Sequence, residues 1–240
     1  MTVYFSIKPS AVHLWRIWIP EWVSEIPVLQ ALLSEDELER ARRFRFAVHR
    51  ERFIVARAFL RKILHLYTEI SPEKLVFDYA PRGKPFLRDC PTKLYFNLSH
   101  SSDIAVYALT SCGEIGVDIE KIEPEFKVDV ARRFFSEKEV RELEALPSEN
   151  RHIGFYRIWS RKEALIKALG EGLFAPLNEF SVSPVEDIEK LVMLHDEKKT
   201  DYFIENFLAH PDYASAFAIT QKIASTVSWQ WLPSGPIKVT

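Results

Sequence analysis

The tetrapeptide Ala-Arg-Arg-Phe occurs twice, at Ala41–Phe44 and at Ala131–Phe134. Each copy precedes a helical pattern with a similar stretch, ARAFLRKIL from Ala56 and SRKEALIKAL from Ser160. Internal similarity constrains a fold more than a local motif does, because the same supersecondary unit must then be built twice. A four-residue match is weak alone, but it suggests two similar halves meeting near residue 112. Helical and mostly antiparallel strand patterns in each half give the class α+β. The expected division is 1–112 and 113–240, with the C-terminal tail free to pack back on the first half.

Local patterns fill in the elements. Residues 3–7 and 12–19 read as strands, the second ended by Pro20. Ser34–Glu37 is an S-x-x-E capping box opening a helix, and Ser136–Glu139 is another, heading a helix through Leu146. Between them a second helix is expected at about Arg50–Tyr67, with Phe53, Ile54, Leu60 and Ile63 inward. PRGKP at 81–85 reads as a loop without regular structure. Leu94–Leu98 and Ile104–Leu109 read as strands joined by the polar turn SHSSD, and Ile115–Ile119 as a third. Further strands are expected at 179–183, 190–195, 201–208 and 214–220, and 225–232 adds one more.

Bulk properties exclude several classes. The formal net charge of -2 gives no general attraction to nucleic acid or membrane. No apolar run approaches 18 residues, so no membrane span is expected. Two cysteines, Cys90 and Cys112, make neither a disulfide framework nor a metal cluster, and a cytoplasmic home fits reduced thiols. The N-terminal stretch lacks the charged and apolar regions of a signal peptide.

Chemistry concentrates in a few stretches. Phe155–Leu173 reads as one helix with Gly170 as its stop, and Glu163 and Lys167 lie one turn apart on it. A surface Glu–Lys pair would have the same spacing. In GVDIE at 116–120, strand alternation puts Asp118 and Glu120 on one face, and adjacent carboxylates repel unless a cation or proton joins them. With Glu163 they offer an oxygen site suited to Mg²⁺, whereas no Cys/His spacing suggests zinc. NLSHS carries Asn97, Ser99 and His100. Ser99 and His100 are adjacent on a strand, so they point to opposite faces and do not make a hydrolase pair. Phosphate binding fits better, with Arg82 and Lys84 of the PRGKP loop and the basic run 40–52 supplying charge.

Together these pieces resemble the surfactin-synthetase-activating type of 4′-phosphopantetheinyl transferase. They fall in that family's order over Gly83–Leu173: GKP at 83–85, NLSHS at 97–101, GVDIE at 116–120, RRFFSEKE at 132–139 and WSRKEALIKALGEGL at 159–173. The resemblance implies two α+β halves related by a pseudo-twofold axis in a monomer, with the active site between them. It implies transfer of 4′-phosphopantetheine from coenzyme A to a serine of an apo acyl or peptidyl carrier protein, with Mg²⁺.

By motif position, Asp118, Glu120 and Glu163 match the metal residues, and Glu163 also the general base. Lys167 matches the pyrophosphate contact; Lys84, Ser99 and His100 match coenzyme A contacts, with His100 toward the ribose 3′-phosphate. Arg82 and Asn97 fall in the same motifs. Arg40 falls on the 3′-phosphate position, with Arg43 or Arg52 in reserve. A neighbouring basic position in the best-known member is Glu37 here, the N3 residue of the capping box, which points to a structural role. Exposed Phe134 or Phe135 and the helix after them offer either a carrier-docking surface or ordinary core packing. Two other readings stay open: a non-catalytic module binding coenzyme A and carrier protein, and a Mg²⁺-dependent nucleotide hydrolase. The second would more often carry a G-x-x-x-x-G-K-[ST] loop, which this chain lacks.

Overall fold

Aromatic and β-branched residues make Ala11–Trp18 a strand, β1, and it is buried along most of its length. Its odd positions Trp15 and Ile17 face one apolar cluster and its even positions Val12 and Leu14 another. The computed structural model describes residues 4–90, 92–125, 128–170, 176–185, 188–195 and 198–239. Helical turns over Ile19–Glu25 lead to a short helix, α1 (Ile26–Leu29). The Ser34 capping box then opens α2 (Glu35–Arg42), and the Ser34 N–H donates to Glu37 Oε2 at 3.1 Å. The long helix α3 (Ala47–Thr68) follows.

The segment expected as an irregular loop is a hairpin turn. β2 (Phe77–Tyr79) pairs with β3 (Pro85–Leu87), and Pro85 starts a strand, a position where no ladder N–H is needed. Next come β4 (Tyr95–Ser101), β5 (Ile104–Thr110) and β6 (Ile115–Lys121). The SHSSD turn shrinks to Ser102 and Asp103, because Ser99, His100 and Ser101 pair with Val106, Ala105 and Ile104. The second half continues with α4 (Val128–Phe134), α5 (Glu137–Ala145) and α6 (Arg151–Leu169). α6 starts four residues before Phe155 and closes on Gly170 at φ 75°, a left-handed cap that suits glycine; 171–173 lie outside the described residues. The strands β7 (Ile188–His195), β8 (Lys198–Asn206), β9 (Tyr213–Ile219), β10 (Ser225–Leu232) and β11 (Gly235–Val239) complete the chain.

The sheets run β11-β10-β1-β5-β4 and β6-β9-β8-β7. The orders β1-β5-β4 and β6-β9-β8 correspond: each half opens with a strand, adds its helices, and returns two strands of which the later pairs with the opener. Helices α3 and α6 each cover one sheet with an apolar cluster. A third cluster, including Val12, Leu14, Val106, Val117, Ile119 and Phe217, joins the remaining faces of the two sheets. The tail packs on the first half, because β10 lies parallel to β1 and Trp229 stacks on Trp15 at 5.5 Å.

Two expected strands do not form. Residues 4–7 run irregularly because the Phe5 N–H donates at 2.8 Å to the Leu66 carbonyl, one of the last in α3, rather than to a sheet. Residues 177–179 make a helical turn and 181–183 join no ladder; the Leu177 and Phe180 carbonyls accept from the Lys162 ammonium instead. The final strand β11 was hidden by Pro236, which an edge strand tolerates opposite Trp231.

Candidate active site

Gly116 sets how closely α6 approaches β6. A Cβ built there would stand 2.1 Å from the Ala164 carbonyl oxygen and 2.4 Å from the Ala168 nitrogen, so only glycine permits this contact. Asp118 and Glu120 are two and four residues further along the same face, and they therefore share the α6 side with Glu163 and Lys167. The surface-pair alternative fails, since Glu163 is only 8% exposed. Lys167 reaches across to β6: its Nζ lies 2.6 Å from Asp118 Oδ1, 2.9 Å from Ser99 Oγ and 3.2 Å from the Val117 carbonyl.

Strand β4 fastens this face from the side. Its alternate residues all bond β6: Asn97 Oδ1 accepts the Val117 N–H at 2.9 Å, Ser99 Oγ donates to Asp118 Oδ1 at 2.8 Å, and Ser101 Oγ donates to Glu120 Oε2 at 3.0 Å. The Ser99 hydroxyl proton is thus committed to Asp118, which excludes a Ser99–His100 nucleophile pair. Asn97 is a buried brace between the halves.

Electrostatics follow from burial. Burial lifts the Asp118 carboxyl above its usual range, against the pull of the Lys167 ammonium and the hydrogen bonds to Lys167 and Ser99. Glu163 is raised by burial, with Lys167 lowering and Asp118 raising it further. Glu120 is pushed up to about 7, first by burial and then by Asp118. Asp118 Oδ2 and Glu163 Oε1 are buried with no hydrogen-bond partner. Among the described residues, no three His, Cys, Asp or Glu groups converge tightly enough to hold a metal as they stand.

The Glu120 shift predicts a pH dependence. A carboxyl raised from 4.5 to about 7 in the folded state stabilises the fold fully below 4.5, and that contribution is lost as pH rises through 7. With chelator present, raising the pH from about 5 to 8 should cost the wild type roughly 1–3 kcal/mol more than Glu120→Gln, which cannot titrate. Chemical denaturation across that range checks this, and parallel curves would show that Glu120 ionises as an ordinary surface carboxyl.

Beside the carboxylates lies a cleft of about 350 Å³. Its lining includes Arg40, Arg82, Lys84, Asn97, Ser99, His100 and Lys167, so seven of the expected residues meet there. Arg40 sits with its guanidinium 5.4 Å from the Phe53 ring centre. Lys84 Nζ is 2.7 Å from Glu114 Oε2 and 3.4 Å from the Ala168 carbonyl at the end of α6. His100 reaches solvent in the cleft, yet enough protein surrounds the ring that desolvation lowers its pKa, and Lys167, Arg52 and His49 lower it further. Of the reserve arginines, Arg52 is tied to Asp103 at 3.3 Å and Arg43 lies beside Glu39 at 3.9 Å, outside the cleft lining.

Sequence reasoning missed two residues. Ser101 was signalled by its alternation with Asn97 and Ser99. Arg57 also lines the cleft, but it resembles any helical arginine in sequence. Glu37 is structural, as its capping position suggested, and it additionally binds Arg57 Nε at 2.6 Å and Arg61 Nε at 2.7 Å. Phe135 is 3% exposed against Phe155 and belongs to the core, whereas Phe134 is half-buried, packing edge-on to Trp159 at the margin of that cluster.

The fold and the cleft define an α+β protein that pairs a cationic cleft wall with buried carboxylates. Residues 114–221 match the family model of the 4′-phosphopantetheinyl transferase superfamily, and residues 15–112 match that of the 4′-phosphopantetheinyl transferase N-terminal region. The chain is 43% identical over 181 residues to the 4′-phosphopantetheinyl transferase HetI of a Nostoc species, covering 74% of this chain and 76% of the relative. It is 31% identical over 201 residues to psf-1 of Bacillus pumilus, covering 84% of each chain. It is 32% identical over 186 residues to Sfp of Bacillus subtilis, covering 78% and 81%. This chain belongs to the 4′-phosphopantetheinyl transferase superfamily.

Proposed function

We propose that the chain transfers the 4′-phosphopantetheine group of coenzyme A to a serine of an apo acyl or peptidyl carrier protein, releasing 3′,5′-ADP, with Mg²⁺ as its metal. The observation that carries this reading is the meeting of Arg40, Arg82, Lys84 and His100 with Lys167 in one cleft, against the buried carboxylates of β6 and α6. Both halves line that cleft, which supports a monomer as the working unit. The same reading puts the enzyme in the cytoplasm; among the described residues no helix is long and apolar enough to cross a membrane.

The residues present fit a divalent cation. Two neighbouring buried carboxylate oxygens without partners need a proton or a cation, and oxygen donors suit Mg²⁺. Asp118, Glu120 and Glu163 would hold it. When bound, the ion would reduce the negative charge that an attacking oxygen meets at the pyrophosphate.

The chain's own groups do the rest. Glu163, raised by burial, accepts the proton of the carrier serine as its oxygen attacks. Lys167 covers the charge of the departing phosphate. Arg40, Arg82, Lys84, Ser99 and His100 hold the donor, with Asn97 keeping β4 against β6. Apo carrier protein incubated with coenzyme A, Mg²⁺ and this enzyme should gain one phosphopantetheine by intact mass. Binding of both partners without any mass gain would favour the non-catalytic module, which nothing in the site supports.

Recognition of the 3′-phosphate gives a separate prediction. Arg40→Ala or His100→Ala should raise the KM for coenzyme A by about tenfold, as loss of a charge-assisted bond of about 1.5–3 kcal/mol would. Dephospho-coenzyme A should show a much smaller penalty in these variants. An equal loss for both donors would show that neither residue meets that phosphate.

A further inference from the structure

The Lys167 ammonium has three donors, and three oxygens surround it: a carboxylate, a hydroxyl and a backbone carbonyl, at 2.6, 2.9 and 3.2 Å. These are also the oxygen types that hard divalent cations take. The anchor is rigid and the cation is not. The Asp118 side chain is 3% exposed, whereas that of Lys167 is 27% exposed at the end of a flexible four-carbon stem facing the cleft. The other Asp118 oxygen and Glu163 Oε1 have no partner, so the ammonium covers only part of the buried negative charge.

We infer that Lys167 is a stand-in cation at Asp118, so that coenzyme A and the metal bind in a coupled order. This rests on the roles proposed above. With the cleft empty, a divalent ion approaching Asp118 meets an ammonium already in contact with that carboxylate. Two cations at one buried carboxylate repel, and expelling Lys167 toward solvent sacrifices three hydrogen bonds. The pyrophosphate of coenzyme A offers the ammonium new anionic partners in the cleft it already lines. Asp118 is then free to join Glu120 and Glu163. Coupling of this kind is reciprocal, so the ion tightens coenzyme A by the same factor.

Mn²⁺ titration of the whole protein, read by the electron paramagnetic resonance of the free ion, tests this without turnover. For the wild type, saturating coenzyme A should tighten Mn²⁺ binding by about tenfold or more. In Lys167→Met, Mn²⁺ alone should bind about tenfold tighter than to the wild type, and the effect of coenzyme A should shrink. Lys167→Gln covers the case in which the Met variant does not fold. Unchanged or weaker Mn²⁺ binding to folded variants overturns the inference. So does coupling that persists undiminished in them, which would come from the pyrophosphate ligating the ion itself. Equal wild-type affinity with and without coenzyme A also overturns it, while leaving the metal residues standing. No Mn²⁺ binding under any condition overturns both the inference and the metal assignment.

Discussion

Glu163→Gln should lower kcat by about 10²–10⁴-fold while leaving the fold intact, the range expected when a positioned general base is lost. The substitution preserves size and helix propensity, so α6 keeps its seat against Gly116. It removes the negative charge and the capacity to take a proton at a position 8% exposed, where solvent cannot readily replace the group. Burial raises the Glu163 pKa, which favours proton acceptance near neutrality more than an exposed carboxylate would. Steady-state kinetics at saturating metal, with a fixed apo carrier and varied coenzyme A, will show the effect chiefly in kcat. Lys167→Ala should differ by weakening donor affinity together with turnover. A near-normal kcat in Glu163→Gln would sink the proposed mechanism.

The site was legible where chemistry needs a residue type at a strand or helix period. Gly116, Asp118 and Glu120 share one strand face, and the close approach of Gly116 to α6 made that face part of the site. Ser99 was placed at the strand end, but its bond to Asp118 depends on β4 lying beside β6, which local pattern does not state. The i,i+4 spacing of Glu163 and Lys167 correctly put both on one face. It did not say that Lys167 would turn to Asp118 on another element.

The fold was legible where backbone groups are satisfied locally. Both capping boxes were readable because their bonds close within three residues. The failures lie where a distant group captures the backbone. The pattern at 179–183 alternates like a strand, yet Lys162, earlier in the chain, takes the Phe180 carbonyl together with that of Leu177 just before it. Phe5 is claimed by the end of α3 in the same way. The two ARRF copies are not equivalent in the structure: the first ends α2, after its capping box, whereas the second lies in α4, before the capping box of α5. The first and second parts of the chain correspond through another feature. In each, the capping-box glutamate meets a buried cation of the long helix, which also bonds two carbonyls of a later turn: Glu37 with Arg61, and Glu139 with Lys162.

That shared device leads to a large expected effect on stability. Glu139 is 0% exposed and Lys162 1%, and they meet at 2.8 Å. Glu139 also accepts the N–H groups of Ser136 at 2.7 Å and Val182 at 2.8 Å. The Lys162 ammonium lies 4.2 Å from the Phe180 ring centre. Burial pushes Glu139 up and Lys162 down, each toward neutrality, while their attraction and hydrogen bonds favour the ions. Four hydrogen-bonding groups around the pair support the ionised form. Glu139→Ala leaves a buried ammonium and two backbone donors uncompensated, and should cost about 3–5 kcal/mol. Replacing both residues, Glu139→Met with Lys162→Met, removes the unpaired charge and should recover much of that loss. Urea denaturation distinguishes the cases through the midpoint at constant slope. Because Lys162 is the neighbour of Glu163, a single variant that stays folded should also lose turnover, as the segment carrying the base shifts. If Glu139→Ala unfolds within about 1 kcal/mol of the wild type, the pair does not hold α5 to α6, and the placement of Glu163 must depend on Gly116 and the apolar face of α6.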